Sequence, residues 1–182
     1  MKLIVWEIWS YLQLPVIWYL FRRFAKKNVF GDMVAGAMIG AFIEFSTEPL
    51  WTYHFRLTIY KDVPLSVVLG WGVMFTLVVF VSEKLYCWIL KKTAIDPYDK
   101  KIFLFDVLGA ALVGLPLETV GLKSGVWDYN YDVLQWNWGT IPFFNMPYEA
   151  LMGYCLLMLL GPTFVRYWQG AFEGRHTRTD LP

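Results

Sequence analysis

Five apolar segments of about twenty residues divide this chain, and they constrain its fold more than any other feature. They run over residues 3–21, 30–51, 63–86, 102–122 and 141–168. A bilayer core roughly 30 Å thick takes about 20 mostly apolar residues to cross as a helix. Inside lipid the backbone has to satisfy its own hydrogen bonds, so such segments become helices. The pattern predicts an all-α polytopic membrane protein: one membrane domain over residues 1–182 with about five transmembrane helices. The first segment is the weakest, because it holds Glu7, Gln13 and Pro15. Its alternative is an amphipathic helix lying in the interface. Composition agrees with the class: 57% of residues are hydrophobic and only 17% charged, against about 25% charged in a soluble domain. A net charge of +1 gives no footprint for nucleic acid. The N-terminus lacks the small-residue cleavage site of a signal peptide, so it is expected to remain as structure.

Charge between the segments predicts their orientation, since Lys and Arg concentrate on the cytoplasmic side. Of the sixteen basic residues, twelve fall on one side: Arg22, Arg23, Lys26, Lys27, Lys84, Lys91, Lys92, Lys100, Lys101, Arg166, Arg175 and Arg178. Lys2, Arg56, Lys61 and Lys123 fall on the other. Five spans then place the protein in the cell membrane with its N-terminus outside and its C-terminus cytoplasmic. The loops 52–62 and 123–140 face outward, and a polar tail of residues 169–182 is expected to fray. Many of the ten Trp and eleven Tyr lie near segment ends, as an interfacial aromatic belt does. Cys87 and Cys155 sit in apolar segments and imply no disulfide.

An internal repeat is legible. Residues 32–44 read DMVAGAMIGAFIE and residues 106–118 read DVLGAALVGLPLE, without a gap. Downstream come Trp51-Thr52-Tyr53 in one copy and Trp127-Asp128-Tyr129 in the other. Each copy then re-enters the membrane at an apolar residue and proline, Val63-Pro64 or Ile141-Pro142. Seven residues past that proline stands Trp71 in one copy and Glu149 in the other. The unit is helix, aromatic outer loop, helix. Residues 1–29 form a first helix and basic loop, 30–90 copy one and 102–168 copy two. Both copies start inside, so the repeat is parallel, about a pseudo-twofold axis along the membrane normal.

Residues four apart share a helix face. Asp32, Gly36, Gly40, Glu44 and Glu48 form one stripe, and Asp106, Ala110, Gly114 and Glu118 another. Small residues let membrane helices approach closely, so the second and fourth segments are expected to meet through Gly40 and Gly114. Asp32 and Asp106 start helices, where an acid complements the dipole. Glu44, Glu118 and Glu149 are the candidate catalytic residues, expected to converge in the outer half of the membrane. An ionisable group facing lipid is costly and turns to a cavity or partner instead. Carboxyls crowded in a low dielectric disfavour one another's ionisation. At least one is therefore expected to hold a proton as a general acid. The bland alternative is a set of structural carboxyls bonded to tyrosine or backbone. Glu48, Trp51, Tyr53, Trp71, Trp127 and Tyr129 are the candidate substrate-binding residues, where ring faces can stabilise a cation. His54 is expected to be a surface residue, and two histidines make no metal site.

The stretch from Leu117 to Gly125, with Trp127-Asp128-Tyr129 and Ile141-Pro142, resembles the integral-membrane carotenoid-biosynthesis proteins of the bacterioruberin-type carotenoid hydratase kind. Residues 125–149 are also similar to the lycopene cyclase domain. Pro147-Tyr148-Glu149 matches its Pro-x-Glu helix start, with Ala150 where that family has a second acid. The likeness covers residues 105–160, and residues 32–75 more weakly. It implies acid-initiated hydration or cyclisation of a prenyl alkene through a carbocation, with no cofactor. The partner would be a lipid-soluble isoprenoid substrate. The alternative is a non-catalytic lipid-binding accessory subunit of a membrane complex, in a homo- or hetero-oligomer.

Overall fold

The structure, a computed structural model, describes residues 2–95 and 99–174. It is a helical bundle. α1 (Lys2–Leu20) runs on through a π-helical turn, Phe21–Ala25. α2 is Phe30–Thr47, α3 Leu65–Leu90, α4 Ile102–Ser124, α5 the single turn Tyr131–Leu134, and α6 Tyr148–Glu173. Four short strands complete the loops that follow α2 and α4: β1 (Trp51–Tyr53), β2 (Thr58–Tyr60), β3 (Val63–Pro64) and β4 (Trp127–Tyr129). Arg175, His176, Arg178 and the rest of the terminal tail lie outside the described residues. Residues 169–173, expected in that tail, belong to α6.

Among the described residues, four helical stretches are long and apolar enough to cross a membrane: Leu3–Ala25, α3, α4 and α6. α2 is not among them. Its 18 residues include both Asp32 and Glu44, which lower its hydropathy, and it is the segment whose acids are taken up inside the bundle. α3 is the hub, packed against α1, α2, α4 and α6. Its central residues Phe75 and Val78 are wholly buried, and they form the core with Ile43, Ala110, Met158 and Val165.

The small-residue stripes do bring helices close, but to α3 rather than to each other. A Cβ on Gly72 of α3 would sit on the Met33 carbonyl oxygen of α2, and one on Gly40 would enter the Trp71 ring. A Cβ on Gly109 of α4 would press on Val78 and Ser82 of α3, whereas Gly114 meets nothing. The expected contact of the second and fourth segments through Gly40 and Gly114 is therefore corrected. Close approach is encoded by small residues; the identity of the partner helix is not.

The entry into the last helix also differs from expectation. Ile141-Pro142 lies in a turn closed by Ile141 N–H to the Met146 carbonyl, 2.8 Å. The helix starts after Pro147, which is extended (ψ 144°) just as Pro64 is before α3 (ψ 143°). Proline lacks an N–H and suits the residue just before a helix. Pro147, not Pro142, thus precedes its helix as Pro64 does, and seven residues on stands Tyr154 rather than Glu149. α4 ends at Gly125, whose left-handed φ of 64° lets its N–H turn back to the Gly121 and Leu122 carbonyls.

The two ends of the bundle differ in charge. Lys27 Nζ bonds Glu83 Oε2 at 3.4 Å, joining the basic turn after α1 to the far end of α3. At the other end, the Leu57 N–H donates to Glu7 Oε1 at 2.9 Å, tying α1 to the β-strand loops. The Lys27–Glu83 contact therefore brings the basic turn after α1 to the same end of the bundle as Lys84, Lys91 and Lys92 at the end of α3.

Candidate functional site

The loops that follow α2 and α4 are locked together by one strand pair. β1 and β4 run antiparallel with Trp51 opposite Tyr129, Thr52 opposite Asp128 and Tyr53 opposite Trp127. Alternate strand residues face the same side. Exposed Thr52 and Asp128 point outward, and the four aromatics point to the helices. His54, from the exposed flank, pairs with Asp128 at 3.0 Å.

Beneath this pair sit two carboxyls, Glu44 with 1% and Glu118 with 3% of its surface exposed. Trp71 Nε1–H donates to Glu44 Oε1 at 2.6 Å, and the Tyr53 hydroxyl donates to Oε2 at 2.7 Å. Glu118 Oε1 accepts the Tyr129 hydroxyl at 2.7 Å and Trp127 Nε1–H at 3.1 Å. Glu118 Oε2 accepts the Tyr154 hydroxyl at 2.7 Å. The two donor sets touch: Trp71 and Tyr154 lie with ring centroids 6.3 Å apart. Burial, then the charge of the adjacent carboxyl, holds the Tyr53 hydroxyl well above the usual phenol range. Burial and Glu118 do the same to Tyr129.

Both carboxyls open onto one cavity of about 500 Å³, within the roughly 300–1,000 Å³ typical of ligand pockets. Trp51, Tyr53, Trp71, Trp127 and Tyr154 line it as well. Apart from the carboxyls its charged lining is nil among the described residues, and the remainder is mostly apolar. Of the residues singled out by sequence, Glu44, Glu118, Trp51, Tyr53, Trp71 and Trp127 line this one cavity. Tyr129 is one layer back, bonded to Glu118 without lining the cavity.

Two residues fall elsewhere. Glu149 does not reach the cavity. Its Oε1 accepts the backbone N–H groups of Asn137 and Trp138, both at 2.8 Å, so it pins the loop before α6 to the start of that helix. Glu48 pairs with Lys61 at 2.6 Å and does not line the cavity. Sequence alone makes Tyr154 an aromatic-belt residue by default and not a site candidate; its signal was the count from Pro147. Sequence reasoning missed the α1 wall, made by Trp6, Trp9, Ser10 and Gln13. Gln13 was the clue: an amide inside an apolar segment needs a polar reason to be there.

A second buried polar group lies toward the basic end. Arg166 of α6 makes a bidentate pair with Asp106 of α4, at 2.7 and 2.6 Å, and donates to Ser82 Oγ at 2.9 Å. Glu83 is 3.9 Å from Arg166 Nε. Asp106 begins a full turn inside α4, so its role is this ion pair and not the dipole complement expected for it. Asp32 does lie in the first turn of α2.

Fold and site define a helical bundle with four membrane-length apolar helices and an aromatic-caged pair of acids in one cavity. No protein-family model, curated protein or solved structure matches the chain.

Proposed function

We propose that the chain is a five-span membrane enzyme that adds a proton to an alkene of a lipid-soluble isoprenoid. The observation that carries this reading is the pair Glu44 and Glu118, buried in aromatic donors on the wall of one apolar cavity. A carboxylic acid gives its proton to the double bond, and the electron pair of that bond forms the new C–H bond. The faces of Trp51, Trp71 and Trp127 stabilise the cation left behind. Water then adds and loses a proton to the carboxylate, giving an alcohol, or a second double bond closes a ring and a proton leaves. Tyr53 and Tyr154 each touch a carboxyl and the cavity, so each is placed to relay a proton. The resemblance to carotenoid hydratases and the lycopene cyclase domain supports the same chemistry. The test is expression in cells that accumulate an acyclic carotenoid, with product analysis by chromatography and mass spectrometry. Parent protein should give a hydrated or cyclised product. Glu44→Gln or Glu118→Gln should abolish it at unchanged expression, and full activity in both variants would sink the mechanism.

α2 is read as the fifth span, completing an alternating path with the N-terminus outside and the C-terminus in the cytoplasm. The gathering of basic residues at one end supports that orientation. A reporter active only in the cytoplasm, fused after Pro182, should give signal. The duplicated unit is supported by the strand pair: exchanging Trp51 with Trp127 and Tyr53 with Tyr129 turns its register into itself about Thr52 and Asp128. The match of Trp71–Glu44 with Tyr154–Glu118 supports it too. A second reading, a non-catalytic lipid-binding accessory subunit, is favoured by one fact: the hydrogen-bond partners of both carboxyls are all donors, as suits a structural acid. It predicts bound lipid in the purified protein and no product from any isoprenoid.

A further inference from the structure

We infer that the cavity is loaded sideways from the bilayer, through a portal between α1 and α4 that passes a flexible, uncharged hydrocarbon chain. This rests on the reading that the cavity takes a lipid-soluble isoprenoid. The argument comes from which walls are closed. Toward the outer loops the cavity is roofed by Phe55, Val126 and Trp51, exposed by only 8%, 2% and 9%. That roof is fastened by the β1–β4 pair and by the His54 N–H bond to the Val126 carbonyl at 3.1 Å. The floor is α3, which presents Gly70, a residue with no side chain, and Met74. The back holds the two carboxyls and Tyr154.

The remaining wall is open. Trp9 on α1 and Leu117 and Val120 on α4 line the cavity and are also 48%, 41% and 44% exposed. These rim residues are apolar. Leu117 and Val120 lie four to seven residues before the end of α4 at Ser124, about 6–10 Å down the helix at a rise of 1.5 Å per residue. In a spanning bundle that depth is hydrocarbon. A mouth with an apolar rim at that depth admits a chain already dissolved in lipid. It offers no counter-charge for a phosphate or other ionised headgroup. The absent side chain at Gly70 continues the channel from the rim to Trp71 and its carboxyl.

The experiment uses full-length protein in liposomes and a diazirine-bearing farnesyl alcohol as the probe, with labelling mapped by mass spectrometry over time. The expected result is label on cavity residues of α1, α3 and α4. Leu117→Trp and Val120→Trp, which narrow the mouth at exposed positions, should slow labelling about tenfold, at the low end of the spread in association rates among variants of one interface. Leu156→Trp, at a still more exposed position on α6 away from the cavity, should leave the rate unchanged. Cavity labelling at an unchanged rate in both mouth variants would overturn the portal and leave the isoprenoid reading standing. No labelling of cavity residues in the parent protein would overturn that reading, and the portal with it.

Discussion

The Asp106–Arg166 pair gives a stability prediction that follows directly from geometry. Asp106 has 0% and Arg166 17% side-chain exposure, and two short hydrogen bonds join them. Removing one partner of such a buried pair strands the other charge and costs about 3–5 kcal/mol. The two ends differ in what remains. After Asp106→Asn, Arg166 keeps Ser82 at 2.9 Å and Glu83 at 3.9 Å, so about 3 kcal/mol is expected, the low end of that range. After Arg166→Met, a fully buried carboxylate loses both its charge-assisted bonds, and about 5 kcal/mol is expected. The double variant Asp106→Leu with Arg166→Met removes both charges and should recover most of the loss, since apolar replacement of a buried pair is close to neutral. Reversible unfolding in mixed micelles of mild detergent and dodecyl sulfate would measure all three. Single variants each within about 1 kcal/mol of wild type, additive in the double, would refute the argument, because coupled neighbours are not additive.

Three further outcomes are expected. Gly72→Ala should lower stability by about 1–3 kcal/mol, the usual cost of overpacking, because its Cβ meets the Met33 backbone; the same unfolding assay would show it, and a neutral result would mean that α2 and α3 do not cross there. Tyr154→Phe should cost about 1.5–3 kcal/mol, the range for a hydrogen bond to a charged group, and Trp71→Phe a similar amount; equal stability of both with wild type would deny the caged-acid geometry. Asp99 is held down at about 2 from 3.8, chiefly by the Tyr86 hydroxyl, then by the Lys101 N–H and Lys92. Its contribution is therefore complete above pH 3.8 and lost as pH falls through about 2. The thermal-stability gap between wild type and Asp99→Asn should be flat above that window and close within it.

How far the chain could be read from its sequence depends on the kind of information each feature holds. Apolar runs fixed the helices because lipid leaves the backbone one option. The gapless stretches ending in Glu44 and Glu118 placed both acids at one depth, and the structure puts both in one cavity. Partner choice was harder. Gly36 and Gly40 announce a close neighbour, yet nothing local says that it is α3 and not α4. Pro142 and Pro147 both follow an apolar residue, and only the turn closed by Ile141 N–H decides which one starts the helix. Glu149 was misplaced by that five-residue difference. Arg166 was legible as a charge within an apolar segment, which needs a partner, but its partner lies 60 residues away.

α1 explains why the site is one-sided. In the proposed duplication α2 and α3 match α4 and α6, and α1 has no counterpart. Gly70 lies six residues after Pro64, and Gly153 lies six after Pro147. Gly70 faces Gln13 of α1 and forms the floor of the cavity, whereas Gly153 is exposed and a Cβ there would meet nothing. A symmetric pair of units would offer two equivalent shallow crevices, one beside each glycine. Packing α1 on α3 walls one of them with Trp6, Trp9 and Gln13 and leaves the other open. α1, which holds Pro15 and runs on into the π-helical turn, packs along that flank. On that proposal the duplication would supply the two acids, and α1 would decide which side of the bundle they serve.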